Sequence, residues 1–464
     1  MIRHVLMLAA NLLWISLPQA SAAENAAPPP PVRIGVSEKI CQLTGDVHWE
    51  TGRPTAARTF ANFGLDAVDL GYPVDHGGKL ILLFGDSWPP PHGGGAEGEI
   101  PPDDAVGVTT RREPPGNDGK CLELRINDKP SPPRTFAPAT IIGPPRIKQG
   151  FFNVPSGGVS AEGGLFAFFW TDHCVDGSDL EPSLSAPLAR PKASPKCPEI
   201  DERNSIGRNV MARSDDDGRT FLGAVPMPLG FVYVTAVNAR LQVGLPEDQR
   251  LGVFVFGVPR YRASVPYLAQ APAEQLTDPN TWRFFVGRAD NGQPRWASRA
   301  EWARGAGLEG SRPDSWRPPG EAEIFVPVVE AGRCIGEFSV TWNPALRHWL
   351  LVYQCPGGVF ARIAPAPWGP WSLPTSILGP ADKLGCRLLM VPEGCGNRRD
   401  FWPSQRKNGK FVGGGTYAPY VLNRYTTQAD SAGPGRSSTI YWVVSTWNPY
   451  EVSVMRTTLH VEPR

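Results

Sequence analysis

Five short apolar runs recur along this chain of 464 residues, beginning at Ile81, Leu165, Leu251, His348 and Ile440, so that successive starts lie 84, 86, 97 and 92 residues apart. They occupy residues 81–84, 165–170, 251–256, 348–353 and 440–444. Each is strand-length, rich in aromatic and β-branched residues, and bounded by Gly, Pro, Asp or Asn. A period this long holds a supersecondary unit of several strands rather than one hairpin. Five such units predict an all-β chain folded as a five-bladed β-propeller. In that architecture chemistry gathers around the axis, on the innermost strand of each blade.

A second strand precedes each core run and is the axis-facing candidate: residues 66–71, 154–160, 231–238, 336–342 and 417–422. Asp66, Asp69, Ser156, Thr235, Glu337 and Ser339 lie inside these segments, where a buried strand would carry Val or Ile. They predict a polar central site. Outer strands carry echoes, Trp342-Asn343-Pro344 against Trp447-Asn448-Pro449, with Trp282, Trp368 and Trp371 closing other repeats. These tryptophans are expected to pack between blades. Polar insertions at 89–119, 172–206, 294–320 and 379–410 are expected as rim loops around the pore mouth.

Composition narrows the class. The formal net charge of +1 gives no electrostatic footprint for nucleic acid or an anionic membrane. With 50 Gly and 51 Pro beside 15 Trp and 20 Phe, the chain reads as turn-rich β-structure rather than disorder. Arg3 and His4 precede an apolar stretch over residues 5–17, and Ala20-Ser21-Ala22 supplies small residues for cleavage near Ala22. That stretch is shorter than the roughly 20 residues a membrane span requires. The predicted organisation is a signal peptide at 1–22, a Pro-rich linker at 23–34 and the propeller at 35–464. The protein is then secreted or periplasmic, with no membrane insertion after cleavage, and monomeric because a propeller is self-contained.

All eight cysteines lie after the signal segment, and an even count in an exported chain favours disulfides. Local closure pairs Cys174 with Cys197, Cys334 with Cys355, Cys386 with Cys395, and Cys41 with Cys121. The Cys334–Cys355 bridge would tie the ends of two neighbouring strands in one blade. No Cys-x-x-Cys pair occurs, His76, His92 and His173 match no metal spacing, and no motif calls for a cofactor.

The segment Ser214-Asp215-Asp216-Asp217-Gly218-Arg219-Thr220-Phe221 resembles the Asp-box turn of sialidases and other propellers. Asp216 is therefore a structural turn carboxylate, bonding local backbone.

Two other acids are candidates for chemistry. Asp69 stands in Val68-Asp69-Leu70-Gly71-Tyr72 and Asp86 in Leu83-Phe84-Gly85-Asp86-Ser87-Trp88, joined by a turn at His76-Gly77-Gly78. Carboxylates held close on a low-dielectric frame shift each other's pKa, and cleavage of a glycosidic bond needs such a pair. Glu337, Arg262 and Ser264 are expected at the same mouth as substrate-binding groups, with Trp88 beside Asp86 as an aromatic contact. The chain has no Gly-x-Ser-x-Gly elbow, Walker loop or dinucleotide fingerprint. The competing reading is a non-catalytic propeller that binds carbohydrate or a partner in the cell envelope.

Several segments together resemble the bacterial family called domain of unknown function 4185. They are Val68-Asp69-Leu70-Gly71, Leu83-Phe84-Gly85-Asp86-Ser87-Trp88, Tyr261-Arg262-Ala263-Ser264, Trp342-Asn343-Pro344, Pro367-Trp368-Gly369-Pro370-Trp371 and Ser445-Thr446-Trp447-Asn448-Pro449-Tyr450. Members of that family look like five-bladed propellers, and some are endo-D-arabinanases of glycoside hydrolase family 183 that cut mycobacterial cell-wall arabinan. The resemblance implies a polysaccharide substrate and puts the essential carboxylates at Asp69 and Asp86.

Overall fold

A computed structural model describes residues 28–88 except 49, 103–126, 140–142, 153–172, 206–226, and 231–298 except 259–261, 263 and 279. It further describes 301, 326–379 except 330, 331 and 333, then 389, 406–407, 410–411, 415–429, and 434–463 except 448. The expected signal peptide, the Cys174–Cys197 and Cys386–Cys395 pairs, His92 and His173 lie outside these residues.

After strand β1 (Arg33–Gln42) and a short helix α1 (Thr59–Phe63), the chain forms five sheets in sequence, antiparallel but for one edge strand. Blade one holds β2 (Leu70–His76), β3 (Lys79–Ser87), β4 (Asp103–Thr109) and β5 (Arg125–Ile126). In blade two, β6 (Thr140–Ile142) adds parallel to the outer edge of β7 (Asn153–Ala161), β8 (Gly164–Asp172), β9 (Ile206–Ser214) and β10 (Thr220–Pro226). Blade three runs β11 (Tyr233–Asn238), β12 (Val253–Val258), β13 (Tyr267–Ala271), β14 (Arg283–Arg288) and β15 (Pro294–Ser298). Blade four runs β16 (Phe338–Asn343), β17 (His348–Cys355), β18 (Gly358–Ala364) and β19 (Thr375–Leu378). A small hairpin, β20 (Arg406–Lys407) and β21 (Lys410–Phe411), precedes blade five. That blade comprises β22 (Gly415–Val421), β23 (Thr427–Gln428), β24 (Arg436–Trp447) and β25 (Glu451–Val461).

The innermost strands β2, β7, β11, β16 and β22 touch in that order, and β22 returns to β2, so the ring closes after five blades. Hydrogen bonding also closes the ring: β1 pairs antiparallel with β25, so residues 33–42 supply the outer strand of the last blade. The disulfide Cys41–Cys121 then fastens that strand to the end of blade one. Cys334–Cys355 joins the approach to β16 with the end of β17, as expected from the sequence.

Each of the five apolar runs lies on the second strand of its blade, where both faces are covered by neighbouring blades, although the third enters its strand only at Val253 and leaves Leu251 exposed. That explains runs of consecutive apolar residues rather than alternation. Between blades three and four, Phe254 meets Trp349 edge-on at 5.6 Å and Trp368 at 6.3 Å. Trp282 and Trp342 are likewise fully buried. A large side chain so buried contributes about 1.5–3 kcal/mol from area alone.

Two local expectations shift. The axis strand of blade one is Leu70–His76 rather than 66–71: residues 66–69 precede the strand, and Leu70 and Gly71, both in left-handed backbone (φ 60° and 81°), put a register shift between its first pairs, Leu70 with Phe84 and Tyr72 with Leu83. And β4 (103–109), β15 (294–298) and β20 (406–407) run inside insertions expected as loops.

The centre of the ring is filled. Tyr72 bonds Thr235 Oγ1 at 2.7 Å across blade two and packs edge-on against Tyr420 at 4.9 Å. Blade two yields room there: a Cβ on Gly157 would overlap the Val234 carbonyl, so only glycine lets β11 approach that closely. Ser156, Thr235 and Ser339 spend their hydroxyls on such inter-strand bonds. They knit the ring rather than line an open channel, which corrects the expectation for these three residues.

The Asp-box turn sits between β9 and β10. Asp216 accepts from Ser214 Oγ, Thr220 N and Thr220 Oγ1, while Phe221 is buried beneath. Burial alone would raise this carboxyl, but the bonds from Thr220 and Ser214 outweigh it and hold its pKa below the usual value.

Candidate active site

The candidate residues gather at one mouth of the propeller, where inner strands begin and second strands end. Asp69 immediately precedes β2, and Asp86 lies near the end of β3. A register shift between Leu83 and Asp86, opposite β4, and another between Leu70 and Tyr72 turn these two acids toward each other. Gly85 makes room, since a Cβ there would overlap Asp69 Oδ1 and lie 2.8 Å from Leu70 Cδ1 and Val154 Cγ1. The Phe-Gly-Asp pattern thus has a steric cause: glycine admits the Asp69 carboxyl against the backbone.

Two tyrosines of blade five complete the cluster. Tyr417, on β22, donates to Asp69 Oδ2 at 2.8 Å. Tyr450, in the turn between β24 and β25, stands 2.7 Å from Asp69 Oδ2 and 3.1 Å from Asp86 Oδ2. Asp69 is only 7 % exposed, and its Oδ1 has no hydrogen-bond partner. Asp86 is less buried. Burial, and next the charge of Asp86, push the Asp69 carboxyl well above the usual range; the bonds from Tyr450 and Tyr417 oppose this, and Glu337 adds to it. Burial and the nearby Asp69 likewise raise both Tyr417 and Tyr450, so these phenols stay neutral donors.

Across the mouth, Glu337 precedes β16 and is held by Arg262, whose Nη2 and Nε approach Oε1 and Oε2 at 2.7 and 3.3 Å. Tyr233 donates to Oε1 at 3.2 Å. The guanidinium also lies over the Tyr417 ring at 5.3 Å, which links this pair to the Asp69 side. Three non-glycine residues in left-handed backbone fall here: Leu70 after Asp69, Ala418 after Tyr417, and Arg262 itself (φ 60°, 54° and 48°). Such conformations cost about 1–3 kcal/mol each and concentrate at functional sites.

Of the remaining sequence candidates, Ser264 is buried and bridges Ile335 through its backbone. Trp88 is largely buried, and its backbone bonds Ala67. Both therefore brace the frame on which Arg262 and Asp86 stand. Tyr233, Tyr417 and Tyr450 were missing from the sequence candidates. Tyr233 and Tyr417 fall inside the expected axis segments 231–238 and 417–422, and Tyr450 directly follows the repeated Trp-Asn-Pro, but none of these positions singles out a phenol. Among the described residues no cluster of His, Cys, Asp and Glu is arranged to hold a metal ion.

Five sheets closed on an axis, with a carboxylate–tyrosine cluster at one mouth, define the molecule as a five-bladed β-propeller. The chain belongs to the family described as Domain of unknown function (DUF4185), whose model matches residues 208–456. The matched span contains Tyr233, Arg262, Glu337, Tyr417 and Tyr450; Asp69 and Asp86 precede it. No curated protein matches the chain.

Solved structures with overall likeness include a protein of unknown function from Dyadobacter fermentans DSM 18053, at 9% identity and TM-score 0.37, covering 92% of this chain and 99% of that one. A GH62 hydrolase in complex with xylotriose aligns at 9% identity and TM-score 0.34, covering 91% and 96%. The catalytic domain of the Coprinopsis cinerea GH62 alpha-L-arabinofuranosidase aligns at 9% and 0.34, covering 94% and 100%. At that level of likeness the fold rests on the sheets themselves.

Proposed function

We propose that this chain is an exported glycoside hydrolase that cleaves furanosidic bonds in a cell-wall polysaccharide, in the manner of an endo-D-arabinanase. The observation that carries the reading is the pairing of Asp69 and Asp86 on one phenol, Tyr450. Glycosidic cleavage requires one carboxyl that holds a proton for the departing oxygen and one that is ionised to attack or to activate water. Two acids this close do not both ionise readily, so the pair supplies one of each. Glu337 and Arg262 then stand opposite as a polar wall for sugar hydroxyls. The two disulfides accord with an exported protein.

The test is product analysis by thin-layer chromatography after the chain lacking residues 1–22 is incubated with arabinogalactan, lipoarabinomannan and plant arabinans. Oligosaccharide release by the wild type and none by Asp86→Asn supports the reading. Release that persists undiminished in Asp86→Asn overturns the assignment of this pair. The Glu337–Arg262 pairing favours a second reading, a sugar-binding propeller without turnover; retention of a polymer that is never cut would establish it.

A further inference from the structure

Tyr450 Oη lies within hydrogen-bonding distance of two carboxyl oxygens but carries a single hydrogen. Asp69 Oδ2 already receives the hydrogen of Tyr417. If both carboxyls were ionised, one of the two contacts at Tyr450 would set oxygen against oxygen with no hydrogen between, beside two buried like charges. One further proton in the cluster resolves the arrangement, and it has two seats. Either Asp69 Oδ2 carries it, donating to Tyr450 while Tyr450 donates to Asp86, or Asp86 Oδ2 carries it and the donors run the other way.

We propose that Asp69 and Asp86 share one proton through the hydroxyl of Tyr450, so that the two carboxyls exchange the roles of acid and ionised carboxylate in the free enzyme. The inference rests on the hydrolase reading for its use, though not for its test. In the exchange the O–H bond of Asp69 breaks as its hydrogen passes to Tyr450 Oη. The original phenolic O–H breaks as that hydrogen passes to Asp86 Oδ2. Two O–H bonds break and two form, the phenol is neutral before and after, and the negative charge moves from Asp86 to Asp69. Burial of Asp69 favours the seat on Asp69, and its bonds from both tyrosines, which stabilise the ionised form, oppose it and favour the seat on Asp86. The charged and titratable groups facing the pair are Tyr417, Glu337 and Arg262 on the axis side, with Asp104 as the register partner of Asp86 on β4.

Asp86, the less buried acid, is then the door by which the proton of Asp69 reaches solvent. Tyr450 is a positioning residue that acts through the two carboxyls. The position of the scissile oxygen, rather than the protein alone, selects which carboxyl releases the proton.

Carboxyl carbon NMR of aspartate-labelled protein, titrated without any polysaccharide, tests this directly. Assignment comes from Asp69→Asn and Asp86→Asn. In the wild type each of the two carbons is expected to move in both macroscopic steps, because each holds the proton part of the time. In Tyr450→Phe the proton should settle, with Asp86 moving only in the lower step and Asp69 only in the upper. Tyr417→Phe, which removes a bond to Asp69 and the Tyr417–Tyr450 contact but leaves Tyr450 between the two carboxyls, should displace the upper step while both carbons still move in both. A wild type in which Asp69 already takes the whole upper step, or a Tyr450→Phe titration identical to wild type, overturns the proposal. Because no substrate enters, shared titration without any cleavable polymer would sink the hydrolase reading and leave the shared proton standing.

Discussion

Arg262 grips both carboxyl oxygens of Glu337, at 2.7 and 3.3 Å, although the two residues reach the site from different blades. The Glu337 side chain is 5% exposed and that of Arg262 43%. A buried carboxylate thus depends on a cation that is itself partly solvated. Removing the cation by Arg262→Met strands the buried acceptor and should cost about 2 kcal/mol. The double change Arg262→Met with Glu337→Gln should recover most of that loss in a thermal denaturation cycle. Equal destabilisation by the single and double variants would show that the pair is not coupled.

Asp86→Asn leaves every strand pairing of β3 intact and removes only the ionisable group. Turnover on a cleavable polymer should fall by about a hundredfold or more, the usual scale for losing acid–base participation. The melting temperature should move little. Collapse of the near-ultraviolet circular dichroism in this variant would instead mark Asp86 as structural.

The raised Asp69 carboxyl makes a signed prediction for stability against pH. Folded Asp69 holds its proton to higher pH than the unfolded chain does, so the native state binds more protons across that interval. Stability contributed by this group is then present below the unfolded value of about 3.9 and is lost as pH rises toward the folded pKa. Asp69→Asn should remove this part of the slope. Melting curves of both proteins at a series of pH values test it, and parallel slopes would contradict it.

If the pair works on a glycosidic bond, the stereochemical outcome follows from its spacing. The bonds of 2.7 and 3.1 Å to one phenol limit how far apart the two Oδ2 atoms can lie. They are closer than the roughly 6.5 Å or more that leaves room for an inverting water. Early products should therefore retain the anomeric configuration of the substrate, as proton NMR of a reacting sample would show.

Gly85→Ala should destabilise the fold by about 1–3 kcal/mol, the scale of overpacking in a filled core, because the new methyl meets Asp69, Leu70 and Val154. The same methyl should disturb the Asp69 titration. An unchanged melting temperature would mean the backbone at Gly85 yields without resistance.

Loss of Cys41–Cys121, which spans 80 residues, should cost about 4–5 kcal/mol in the loop-closure account, against about 3 for Cys334–Cys355 across 21. Serine replacements at each pair, compared by chemical denaturation, give the order.

The sequence by itself determined what local chemistry enforces. Runs such as 165–170 are apolar at consecutive positions, so they are read as strands covered on both faces, and their recurrence sets five blades. The Ser-x-Asp-x-Gly-x-Thr turn bonds itself within a few residues, and the spacing of Cys334 and Cys355 suits one hairpin, so both were legible. The positions of Asp69 and Asp86 were also visible, since their segments are joined by one short turn. Tertiary structure alone decided the rest. Tyr450 meets Asp69 across 381 residues of chain, and β1 finds β25 only when the ring closes. The start of β2 at Leu70, with left-handed backbone at Leu70 and Gly71 and a register shift before Tyr72, is held by packing and not by propensity. Hydrophobic periodicity records which side of a strand is covered; it carries no information about which distant hydroxyl will arrive at a buried carboxylate, because that is fixed by closure of the whole ring.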